Sequence, residues 1–478
     1  MSPVHSGLTT PVVRRIGRVL LGAALFLASL GGICAAGVTT VMGQSYPLSQ
    51  QRPPARGWPA PKAIPGGRIT VAIVVSNAGS VSADVLAPYE VFARSEGFAV
   101  YTVAARRTPS PLSGGLHLLP DHTLEEIGTG AVSEPDVVVV PAVIDPTGTA
   151  EKPLREWIAA RSRYGARLLG VCAGSELLAA AGVLDNRRAT SFWANIGSLK
   201  RNHPKVRWQS GERYVEDGAI TTTAGITSGT VGALRLVERF AGAAEAQRIG
   251  SALHYPGWSL DGSTAITPNH LALSDLPYVL NAAFPWWRPT IGIGLVEGVG
   301  EIDAAAAFEV YSGVSFSARA IPIGATGTVT TRHGVVLLTE PAGTAVPRVD
   351  RFVVPGVRGV LTPALASWAS GRSLTPELPG GGRRDGEFGF DPMLRDLAAH
   401  ADSATARTTA KFSEYPVGQL RLSGAGWPWR PTVIFVVALT GSAGVGMLTV
   451  AIPRLLRRRT AGTVSRSGGG GPGTPPAR

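Results

Sequence analysis

The sequence predicts an α/β protein: a parallel sheet covered by helices on both faces, then a second, degenerate α/β unit, with an apolar helix at either end. Three observations predict this. Short, unbroken apolar runs such as ITVAIVV from Ile69 and VVVV from Val137 alternate with helical patterns such as EWIAARSRYG, as strands buried on both faces do. Two long stretches carry no charge. Segments after Pro289 repeat, in order, segments of the first unit.

The first uncharged stretch, residues 19–42, is long enough at about 1.5 Å per residue to cross a hydrocarbon layer of roughly 30 Å, and residues 432–453 are its counterpart. Arg14, Arg15 and Arg18 precede the first; Arg454, Arg457, Arg458 and Arg459 follow the second. The positive-inside rule then puts residues 1–18 and the basic tail 454–478 in the cytoplasm and everything between the spans outside, a two-pass protein of the cell membrane. Cys34-Ala35-Ala36 before Gly37 leaves a cleaved signal peptide as the alternative for the first stretch.

A Pro-rich linker is expected over 43–67 and the main domain over 68–258, with DVLAPYEVFARSEG, FAVYTVAA, ARLLGVC, AITTTAG and ITSGTVGALRLVERFAG supplying further helices and strands. A connector, 259–289, leads to the degenerate repeat, 290–423. There IGIGLVEGVGEIDAAAAFEVYSG lays over ITVAIVVSNAGSVSADVLAPYEVFARS, with Asp303 opposite Asp84 and Glu309 opposite Glu90. GVVLLTEPA matches GLHLLPDHT, RFVVPG matches VVVVPA, and ARTTAKFSEYP matches AQRIGSALHYP. The interval from Pro355 to Pro416 is about half that from Pro141 to Pro256, and what it lacks is the strand, cysteine and helix around Cys172. SGRSLTPELPGGGRRDGEFG stands there instead and reads as loop.

The net charge of +12 invites a nucleic-acid reading, but much of it flanks the spans and reports topology and contact with anionic lipid. No helix-turn-helix pattern follows the main domain, so nucleic acid is not expected as a partner. The eight histidines lack ligand spacing, no metal or other cofactor is implied, and the two cysteines, Cys34 in a span and Cys172 outside, cannot pair. Membrane lipids and a small-molecule ligand are the partners expected; the oligomeric state is left open.

In LLGVCAGSELLAAAGVL an apolar strand ends at Val171, Cys172 follows, and Gly174 turns the chain into a helix. Such an elbow lifts a side chain out of the sheet top beside the free N–H groups and partial positive charge of a helix N-terminus, which stabilise a thiolate or a developing oxyanion; Ala173 and Gly174 are the backbone donors expected for that.

GVCAGSELLAAAGVLDNRRATSFW, preceded by DVLAPYEVF and followed by YVEDGAITTTAGITSGTVGALRLVERFAG, resembles the ThiJ/PfpI family (class I glutamine amidotransferase-like), in the branch shared by isonitrile hydratases and the N-terminal domains of AraC-type regulators. The resemblance covers about residues 69–258. It implies a flavodoxin-like sandwich, Cys172 on the elbow, and Asp84 where hydratase-like members carry their catalytic aspartate, with Glu90 in the same stretch. A carboxyl beside a cysteine can share its proton, hold the sulfur, or serve as general acid and base. Two departures stand out: Phe192 precedes Trp193 where many members of the branch have histidine, and Ala173 follows the cysteine where a hydroxyl residue is usual. His203 and His254 are given no role.

Two functions compete. In one, Cys172 acts on a small electrophile such as an isonitrile, amide or reactive carbonyl, with Asp84 handling protons, in a cysteine-dependent hydratase or hydrolase. In the other, the domain is a non-catalytic ligand-binding or redox-sensing module held at the membrane.

Overall fold

The computed structural model describes residues 10–48, 57–344, 346–357, 361–379 and 386–464. Parts of the expected cytoplasmic termini, of the linker and of the Gly-rich loop lie outside the described residues.

The main sheet has seven strands: β1 (Ile69–Val74), β2 (Phe98–Ala104), β3 (His122–Thr123), β4 (Val137–Val140), β5 (Arg167–Gly170), β6 (Tyr214–Asp217) and β7 (Ile220–Thr223). Their order is β6-β7-β5-β4-β1-β2-β3, parallel throughout except for the β6–β7 hairpin at one edge. Val71 sits opposite both Val100 and Val137, so the β-branched runs meet at the centre of the sheet. Alternate residues of one strand enter different cores: Val71 and Ile73 face one cluster, Ala72 and Val74 the other, which is the period of two a pleated strand imposes. Continuous apolar runs are therefore needed, as a sheet with both faces dry requires.

Helices α2 (Ser82–Ala93), α3 (Lys152–Arg163), α4 (Gly174–Ala180) and α5 (Ser228–Ala241) cover the sheet. β8 (Thr290–Gly294), β9 (Arg319–Gly324), β10 (Glu340–Pro341), β11 (Arg351–Val353) and β12 (Pro376–Glu377) form a second, wholly parallel sheet, ordered β10-β9-β8-β11-β12. Its edge strand β12 lies within the segment expected to be loop.

The two sheets share one core. α7 (Glu301–Phe308) of the second unit packs against α2, and Ala304, Ala305, Ala306 and Ala307 are fully buried; four small side chains in a row let the helices approach closely. Val336–Leu338 pairs antiparallel with Leu116–Leu119, joining the units by backbone as well. The second unit also contributes α8 (Phe390–His400) and α9 (Ser403–Phe412), whose Phe390, Met393, Leu394 and Phe412 enter the same core.

Helix α1 (Thr10–Ser45) and helix α10 (Trp429–Val464) lie side by side outside the sheets. Arg15–Ser45 and Trp429–Leu448 are each long and apolar enough to cross a membrane. The Ser442 hydroxyl donates to Ser29 Oγ at 3.1 Å, and Gly446 packs onto the Gly22 backbone, so the helices run antiparallel through small residues. Their flanks leave Leu20, Leu21, Leu27, Val433, Val436 and Leu448 exposed. The short helix α6 (Leu276–Ala283) ties this pair to the rest, with Leu280 and Phe284 packed against Leu30, Ile33 and Phe435.

Candidate functional site

The site lies at the carboxyl ends of β1, β4 and β5, where ligands of open parallel sheets gather. Cys172 follows β5 with φ of 55°, a left-handed conformation that is strained for a residue with a Cβ. The turn is held from several sides: the Gly174 N–H donates to Val171 O at 2.8 Å, and the Ser175 and Ser191 hydroxyls donate to Cys172 O at 3.0 and 3.1 Å. Gly174 is required sterically, since a Cβ there would fall 2.0 Å from Val140 O.

The two expected backbone donors are spent differently. The Ala173 N–H points at the Cys172 sulfur and favours its charged form. The Gly174 N–H closes the turn onto Val171 and is therefore not free for an oxyanion, a correction that follows from the tightness of the elbow.

Asp84, in the first turn of α2, is wholly buried. Its Oδ2 accepts the Ala142 N–H at 3.0 Å, just past the end of β4, while Oδ1 is buried with no hydrogen-bond partner among the described residues. Burial pushes its carboxyl well above the usual range, the Ala142 N–H opposes this, and the charge of Glu309 adds to it. Burial likewise pushes the Cys172 thiol well up, followed by the repulsion of Asp84; Glu414 and Glu309 add further. The site thus favours a neutral carboxyl beside a neutral thiol. The thiolate expected from the elbow alone is opposed first by burial and then by the carboxylates around it.

Glu90 is not brought to the sulfur. Its Oε1 pairs with the Arg94 guanidinium at 3.0 Å (Nε), and its Oε2 accepts the Ile302 N–H at 2.8 Å at the start of α7. About 1.7 helical turns separate it from Asp84 along α2, which puts it on another side of the helix, toward the second unit.

Three residues not expected from the sequence do reach the site. Glu309, from the end of α7, accepts the Ser82 hydroxyl at 2.7 Å, the Ala83 N–H at 3.3 Å and the Ser113 hydroxyl. Tyr46 leaves the end of α1 and lays its ring over Gly79, where a Cβ would stand 2.7 Å from its Cδ1. Its hydroxyl bonds Ser113 and feels Glu309, Asp84 and Cys172; burial, before those charges, raises its pKa. Glu414, with φ of 51°, follows α9; its Oε2 accepts the Gly225 N–H and its carbonyl the Thr227 hydroxyl at 3.1 Å. Burial pushes its carboxyl to about 7 against the pull of the Gly225 N–H. Glu414, Ser191, Thr190 and Asn269 line a cleft of about 30 Å³, room for a water molecule. The sequence comparison set Glu309 opposite Glu90 but gave it no role at the thiol, and nothing local marks Tyr46 or Glu414.

Cys172 itself is only 5% exposed. Away from it, Glu377, Asp396 and His400 gather, a cluster that scattered sequence positions concealed, and the Arg351 guanidinium already bonds both carboxylates.

A family model described as the DJ-1/PfpI family matches residues 70–239. The isonitrile hydratase of Pseudomonas putida is 31% identical over 180 residues, 36% of this chain and 72% of the hydratase. The HTH-type transcriptional regulator CdhR of Pseudomonas aeruginosa is 31% identical over 128 residues, 27% of this chain and 36% of the regulator. Among solved structures, a THiJ/PfpI family protein from Pseudomonas syringae aligns with a TM-score of 0.35 and 26% identity over 38% of this chain and 74% of its own. The family match ends before the second sheet begins.

Proposed function

This chain belongs to the DJ-1/PfpI family, and on that footing we propose that it is a membrane-held hydratase or hydrolase in which Cys172 and Asp84 act together on a small neutral electrophile. The observation that carries this is the Oδ1 of Asp84, buried with no partner among the described residues and near enough for its charge to act on the elbow thiol. A neutral carboxyl is a proton donor, and burial keeps Asp84 in that form.

An isonitrile, the substrate class the hydratase relative is named for, is hydrated in two stages. The sulfur bonds to the terminal carbon, that carbon takes the Asp84 proton, and the thiol proton passes to Asp84, giving a thioimidate. Water then adds to the carbon, the C–S bond breaks, the sulfur recovers its proton, and an N-substituted formamide leaves. Glu414 and the small cleft beside it supply a place for that water.

The low exposure of Cys172 favours a second reading, a closed binding or sensing module. Incubating the purified full chain with cyclohexyl isocyanide and assaying the formamide separates the two. Product lost in Cys172→Ala and Asp84→Asn supports the enzyme; no product from the native chain, together with no alkylation of folded Cys172, leaves the binding module.

The same proposal takes α1 and α10 as membrane spans, with both chain ends in one compartment and the sheets in the other. Their antiparallel pairing, the arginines flanking them and the exposed tryptophans at their base support it. Residues 290–423 are read as a degenerate second copy that packs as a partner subunit would, within one chain. The parallel placement of β8 between β9 and β11, like that of β1 between β2 and β4, supports this. Extraction of membranes with alkaline carbonate and protease protection of tagged termini test the topology.

A further inference from the structure

A cavity of about 310 Å³ opens where the folded units meet the two apolar helices. Phe284 and Trp286 after α6, Arg288, Arg351, and Trp427 and Arg430 at the start of α10 line it. Trp286 is 37% exposed, Trp287 77% and Trp429 66%. Large aromatic rings left open at the base of apolar helices are what the headgroup layer of a membrane selects.

The charges in the wall are unequally matched. Arg351 is answered by Glu377 and Asp396. Asp402 turns both carboxylate oxygens to Thr405, accepting its N–H at 2.6 Å and its hydroxyl at 2.7 Å. His400 bonds back to Asp396. Among the described residues Arg288 has neutral partners alone: it donates from Nη1 to Phe316 O at 2.9 Å and from Nη2 to Gln44 Oε1. Among the described residues no carboxylate lies within ion-pair distance of it. Burial, with Arg319 nearby, lowers its pKa to about 10. A half-buried guanidinium with no carboxylate beside it among the described residues is costly, and an anion entering the cavity would lower that cost. Arg430 stands exposed at the rim, on the side from which the apolar helices leave.

We propose that this cavity holds the phosphate-bearing headgroup of an anionic membrane phospholipid, with Arg288 and Arg430 on the phosphate and the acyl chains running outward past Phe284 and Trp427 along α1 and α10. The cavity volume suits a headgroup and not a whole lipid, which leaves the chains among the helices. Gln44 places the site at the exit of α1, two residues before Tyr46, so an occupied cavity also fixes the segment whose ring lies over Gly79.

The inference rests on the membrane reading above, and its test is made so that either can fail alone. The purified full chain in a nonionic detergent is titrated with dioctanoyl phosphatidylglycerol and dioctanoyl phosphatidylcholine, following tryptophan fluorescence and native mass spectra; carbonate extraction of cells tests the spans separately. Phosphatidylglycerol is expected to bind about tenfold tighter than phosphatidylcholine, with that preference lost in Arg288→Gln and reduced in the exposed Arg430→Gln. Arg430→Gln guards against a misfolded Arg288→Gln. Equal binding of the two lipids by the native chain, or an undiminished preference in both variants, overturns the proposal. Displacement of the lipid by equimolar inorganic phosphate also overturns it, assigning the cavity to a free anion.

Discussion

Glu90 and Glu309 trade positions across the two units: Glu90 of α2 accepts the Ile302 N–H at the start of α7, and Glu309 at the end of α7 accepts the Ala83 N–H at the start of α2. Each carboxylate accepts an otherwise unpaired N–H at the start of the other helix, which is how helix starts are satisfied when no local side chain does it. The exchange locks the face on which the thiol site is built.

Glu309→Ala is therefore expected to destabilise the chain by about 1–3 kcal/mol, because it leaves the Ser82 and Ser113 hydroxyls and the Ala83 N–H buried without an acceptor. Chemical unfolding of native and variant chains measures it. An unchanged midpoint would mean that water replaces the carboxylate.

Tyr46→Ala should open the site. Removing the ring over Gly79 is expected to raise the rate of iodoacetamide labelling of Cys172 about tenfold or more, while Tyr46→Phe, which keeps the cover, changes it little. Equal rates in all three chains would show that access is limited elsewhere.

Glu414 predicts a pH dependence. Its carboxyl is raised from 4.5 to about 7 in the folded chain, so its neutral form favours folding. That contribution is complete below about 4.5 and is lost as pH rises through about 7, on the order of 3 kcal/mol in all. Glu414→Gln should be the more stable chain at pH 8 and should lose its advantage at pH 4.5. Unfolding midpoints of both chains at the two pH values check this, and a constant difference would count against it.

Gly174→Ala should prevent the elbow from forming, since its Cβ would collide with Val140 O. The expected result is a loss of about 3 kcal/mol or more, or no folded protein. A chain of native stability would show that the turn can shift.

Much of this architecture was legible in the sequence because it depends on local chemistry. β-branched runs buried on both faces specify parallel strands, and ITVAIVV, VVVV and ARLLG became β1, β4 and β5. A cysteine between an apolar strand and Gly174 specifies an elbow, and Cys172 stands on one. Uncharged stretches specified α1 and α10 as apolar helices.

The surroundings of the thiol were decided by tertiary packing. Asp84 and Glu90 sit in one helix, yet only the charge of Asp84 acts on Cys172, because the Glu90 carboxylate is turned to the start of α7, which packs against α2 in the shared core. Glu309, Glu414 and Tyr46 arrive from more than a hundred residues away, or from the end of an apolar helix, and no spacing rule connects them to Cys172. Residue type and periodicity fix which face of an element is buried. Which charges then share a dry interior follows only from how the units pack, and here that packing brings Asp84, Glu414 and Glu309 near the buried thiol.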